Sequence, residues 1–149
     1  MTTFGVAPLE LPTFEDRAEL SRADLVFYDV DHAGPSYVAH VFVDAPDATL
    51  ATKRDAEHGY VGSYTVFGHG GCYGGEGHCD TTARFEDAFD RRLRHPLTPT
   101  VMTVGATGAL RPALEDPEKT SIRVAVAIEP PEAAPRDPFT LVRLLTYVD

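Results

Sequence analysis

Tryptophan is absent, cysteine and methionine occur twice each, and basic side chains are scarce. Thirteen Lys and Arg stand against 23 Asp and Glu, for a net charge of −10. Such a surface repels polyanions, so no nucleic-acid partner and no anionic membrane partner is expected. No run approaches the roughly 18 apolar residues of a membrane helix. The first twenty residues have neither a basic start nor an apolar stretch, so no secretory signal is expected and the chain is assigned to the cytoplasm. At 149 residues the chain has one domain's worth of sequence, long enough to bury a core without disulfide staples.

What is present is β-forming sequence. Residues 1–22 read as an amino-terminal arm, broken by Pro8 and Pro12, with Phe4, Leu9, Leu11 and Phe14 available to dock on a core. Residues 23–149 read as a single domain. Strands are predicted over 23–30, 36–43, 60–67, 100–104, 121–128 and 139–148. In the second, Tyr37, Ala39, Val41 and Val43 share one face and Val38, His40 and Phe42 the other, so both faces are largely apolar. Residues 44–59 read as a long hairpin connection, and 129–138 as a proline-rich linker. Short helices are expected over 83–90 and over 106–114, the latter interrupted by Pro112. Six or more strands with one or two short helices predict an all-β fold, an antiparallel β-sandwich or flattened barrel.

The chemistry-bearing segment is Gly68-His-Gly-Gly-Cys-Tyr-Gly-Gly-Glu-Gly-His-Cys-Asp80. His69, Cys72, His78 and Cys79 place two imidazoles and two thiols within eleven residues. Those are the donors that zinc and copper prefer. The glycines let a short loop fold back around a small centre. Glu76 and Asp80 are available as oxygen ligands or as orienting groups. Three readings stand side by side: a metal site, a Cys72–Cys79 disulfide, and a plain loop with unlinked thiols. His32, His58 and His95 read as surface or capping residues, and His40 as a hydrogen-bonded core histidine, although His32 and His40 are both able to converge on the loop. Arg91, Arg92 and Arg94 form a small basic knot, and Tyr73 sits between Cys72 and Gly74. There is no nucleophile elbow and no P-loop.

Asp31-His-Ala-Gly-Pro-Ser-Tyr37, Gly59-Tyr-Val-Gly-Ser-Tyr-Thr-Val-Phe-Gly-His-Gly-Gly-Cys72, Gly77-His-Cys-Asp80 and His95-Pro-Leu-Thr-Pro99 follow one another in the chain. Together they resemble the C-terminal domain of bacterial tyrosinase-family proteins, the type 3 copper oxidases related to polyphenol oxidases and haemocyanins. The resemblance runs over roughly residues 23–128 and implies a β-sandwich. Catalytic domains of that family hold two copper ions through six histidines on a helical bundle. This chain has six histidines in all and no paired helices to present them, so no catalytic residue carries over.

The resemblance implies a metal-handling accessory, with copper as the metal and zinc as the alternative. Its partner would be a copper oxidase subunit, whose site it shields or matures. The alternative is a small mononuclear copper-dependent oxidoreductase acting on a phenol or a specialised metabolite, which leaves open whether the chain is an enzyme. A third reading is a scaffold with a structural zinc or disulfide loop.

Overall fold

The computed structural model describes residues 3–70 and 100–148. The expected helix at 83–90, the Arg91–Arg94 knot, Tyr73 and His95 lie outside the described residues. Within them the chain forms nine strands: β1 (Thr3–Gly5), β2 (Leu9–Glu10), β3 (Leu20–Val30), β4 (Tyr37–Val43), β5 (Tyr60–Val66), β6 (Thr100–Gly105), β7 (Ser121–Ile122), β8 (Val124–Glu129) and β9 (Leu141–Val148). One α-helix, α1 (Thr107–Glu115), and three single 3-10 turns complete them. A four-stranded sheet in the order β1-β8-β4-β5 and a three-stranded sheet in the order β6-β3-β9 form the sandwich, and β2-β7 makes a short ribbon. Every pairing is antiparallel.

Period-two patterning builds the core. Tyr37, Ala39, Val41 and Val43 of β4, with Val126 and Ile128 of β8 beside them, pack with Leu25 and Phe27 of β3 in one buried cluster. Each such large side chain contributes about 1.5–3 kcal/mol by leaving water. Phe42 points the other way, onto Ala48, Ala125 and Ala127, and Ala45, Leu50 and Tyr60 close over it. The 44–59 connection therefore covers the second face of β4, which is why that strand is apolar on both sides. Gly59 ends this connection at φ 73, where a Cβ would lie 2.2 Å from the Val43 carbonyl oxygen.

Two expectations need correction. Helix α1 continues through Pro112. Pro112 and Gly108, whose carbonyl it leaves unpaired, are both exposed, and buried Leu110 ties the helix to the core, so tertiary packing outweighs the break. The strand expected over 121–128 is divided at Arg123. There Asp44 takes both backbone groups: its own N–H donates to the Arg123 carbonyl at 2.8 Å, and its Oδ1 accepts the Arg123 N–H at 3.0 Å.

The amino-terminal segment is stitched into the sheets. β1 extends the four-stranded sheet along β8, and Phe4, Leu9 and Leu11 pack on the core. Phe14 does not; it is 49% exposed, with the Arg17 guanidinium 5.7 Å from its ring centre. Arg17 itself is buried and donates to the carbonyls of Pro12, Ala113, Asp116 and Lys119.

Candidate functional site

The β4–β5 pairing decides what meets at one end of the sandwich. Tyr37 pairs with Val66, so the chain just before β4 and the chain just after β5 leave the sheet side by side. The first is the Asp31–Ser36 turn, carrying His32. The second is Phe67–Gly70, carrying His69.

The turn is firmly held. The Asp31 N–H donates to the Pro138 carbonyl at 3.0 Å, and the Asp31 side chain accepts the Ala33 N–H at 2.9 Å. The Tyr37 hydroxyl donates to the Asp31 carbonyl at 2.8 Å. Burial, followed by the charge of Asp31, pushes the Tyr37 phenol well above its usual range, which keeps it a neutral donor. The neighbouring loop is pressed onto this turn. The Gly68 N–H donates to Ser36 Oγ at 3.0 Å. A Cβ on Gly68 would lie 2.1 Å from the Gly34 carbonyl oxygen and 2.4 Å from the Pro35 carbonyl carbon, so only glycine allows this approach.

That approach brings two imidazoles together. The His69 N–H donates to the His32 carbonyl at 2.9 Å, and His69 Nδ1 lies 3.3 Å from the same oxygen. The carbonyl can only accept, so Nδ1 is the donor in this contact. The His32 and His69 ring centres are 5.2 Å apart, with their planes at 74°. His69 is exposed and His32 half-buried, so the pair is open to solvent. Beside them Phe67 is 81% exposed.

Of the four expected ligands, His69 is described; Cys72, His78 and Cys79 lie outside the described residues. Among the described residues no three His, Cys, Asp or Glu side chains gather as a metal cage. Two imidazoles nonetheless suit copper or zinc as donors. The ring contact of His32 with His69 is what the sequence left open; its signal was the position of His32 just before a strand that pairs with the one leading to His69. His40 goes elsewhere. It is buried on β4, with Nε2 at 3.0 Å from Glu129 Oε2, and Arg54 binds the same oxygen at 2.8 Å. His58 is held locally by the capping residue Asp55, whose side chain accepts the His58 N–H and meets its imidazole.

No protein-family model matches the sequence, and no curated protein matches it. Solved structures of latent aurone synthase, a polyphenol oxidase, do match. The recombinantly expressed form gives a TM-score of 0.57 at 13% identity, covering 99% of this chain and 24% of that chain. The form from natural source gives 0.58 at 13% identity, covering 99% and 25%. This chain thus spans about a quarter of the length of those structures. At that identity the likeness is one of fold. Along nearly its whole length, the chain has the fold of about one quarter of a latent polyphenol oxidase.

Proposed function

We propose that this chain is a non-catalytic accessory domain of a tyrosinase-family copper oxidase, which docks on the oxidase, shields its copper site and assists its loading. The observation that carries the reading is the match of nearly the entire chain to a quarter of an oxidase described as latent. A second support is the tip formed by His32, Phe67 and His69. Phe67 is an exposed ring next to Gly68, where the loop is pressed onto the Asp31–Ser36 turn, and is available as an anchor for a partner. Imidazoles beside it suit copper, as do the thiols of Cys72 and Cys79 farther along the chain. In this reading His69, Cys72, His78 and Cys79 hold copper in transit, and copper in the partner supplies the oxidation chemistry. The net charge of −10 favours a basic docking face.

The test is assembly. The full chain is mixed with a tyrosinase-family catalytic domain freed of its own C-terminal domain, and the mass of the product is read by light scattering. A one-to-one complex is the expected result; two unassociated species at high concentration contradict the proposal.

A further inference from the structure

We infer that the groove between the amino-terminal segment and α1 binds a small carboxylate with an aromatic body. The inference stands apart from the oxidase and from copper. The groove has a volume of about 410 Å³, inside the range of about 300–1,000 Å³ usual for small-molecule sites. Phe14, Ala18 and Leu20 line it from the amino-terminal segment and the start of β3. Arg111 and Leu114 line it from α1, where three-residue spacing puts them on one helix face, and Arg17 completes the lining. Phe14, available to dock on the core, instead leaves about half its surface open in this groove.

Charge selects the ligand class. The chain carries −10, yet this groove is lined by two guanidinium groups and by one carboxylate, that of Glu115. Arg111 is exposed and takes part in no hydrogen bond or ion pair among the described residues, although Glu115 stands one turn along the same helix. Its planar fork is thus free to grip a carboxylate through two parallel hydrogen bonds. Arg17 is buried, and its four hydrogen bonds go to neutral carbonyls. Among the described residues no carboxylate balances its charge, so an anion in the groove is drawn by both cations. One free fork suits a single carboxylate better than a phosphate dianion, which asks for more donors. The rest of the lining is apolar, and an aromatic body would leave water against Phe14, Leu20 and Leu114.

The test uses three probes on the full chain, read by backbone amide chemical shifts. Phenylacetate carries both the ring and the charge, acetate only the charge, and phenylacetamide only the ring. Phenylacetate should give saturable shifts centred on Phe14, Ala18 and Arg111, and the other two should bind about fivefold or more weakly. Arg111→Ala and Phe14→Ala, both at exposed positions, should each weaken phenylacetate binding by a similar factor, and Arg111→Lys should restore part of the loss. Absence of localised shifts up to the solubility limit of phenylacetate overturns the inference. So do shifts centred elsewhere, equal binding of all three probes, or unchanged binding in Arg111→Ala. Should a variant fail to fold, the comparison of the three probes on the unaltered chain decides alone.

Discussion

A methyl group at position 68 has nowhere to go, because Gly34 and Pro35 occupy its space at 2.1–2.5 Å. Gly68→Ala should push the His69 loop off the His32 turn at a cost of about 1–3 kcal/mol. It should also abolish the close contact between the two rings, which a nuclear Overhauser measurement between them reads directly. Retention of that contact together with an unchanged melting temperature would contradict the packing described. Arg17 poses a different case at the same scale. One guanidinium serves four carbonyls drawn from the amino-terminal segment, the end of α1 and the turn after it. Two of those carbonyls belong to Ala113 and Asp116 at the negative end of the helix, where a cation is favoured. Arg17→Ala should cost about 2–4 kcal/mol in urea unfolding, since it removes the hydrogen bonds that one buried guanidinium makes to four carbonyls. Arg17→Lys should recover only part, because an ammonium lacks the planar fork. Full recovery by lysine would reduce the role of Arg17 to charge alone.

At the scale of elements, β4 ties the sequence to the site. Its two apolar faces are read from alternation alone, and both are buried, one in the sandwich and one beneath the 44–59 connection. On that second side His40 meets Glu129 at the end of β8, and Arg54 of the connection meets the same carboxylate. The hydrogen bond from His40, then that from Arg54, holds the Glu129 carboxyl below its usual range. Asp55 is likewise lowered, first by its hydrogen bond to the His58 side chain. A carboxyl lowered in the folded chain stabilises it above the unfolded value, and that contribution disappears as pH falls through the folded value. Glu129→Gln should therefore be less stable than the parent near neutrality, with the difference closing as pH falls from the usual carboxylate range through the lowered range of folded Glu129. Urea midpoints across that range check it; a difference that stays constant would show that the Glu129 charge does not link the connection to the sheet.

For the whole molecule, the sandwich was legible because each long strand carries its own period, as in Leu25 and Phe27 of β3 or Val124 and Val126 of β8. The break at Arg123 was not, because it depends on Asp44, a residue distant in sequence that captures both backbone groups. Pro112 misled for a related reason: a local rule about helices was outweighed by the burial of Leu110. His69 announces itself by its glycine-rich setting, whereas His32 is an ordinary turn histidine until β4 and β5 pair and bring it alongside. Cys72, His78 and Cys79 remain expectations from composition and lie outside the described residues.

The account of the molecule as a cover for an oxidase is tested most directly by the rate of diphenol oxidation of a tyrosinase-family catalytic domain, freed of its own C-terminal domain, as the full chain is added. The account predicts a saturable fall in rate that weakens as salt screens the acidic surface, and a fall that Phe67→Asp blunts by about tenfold in the concentration required. A rate that the chain leaves untouched at every concentration would contradict it.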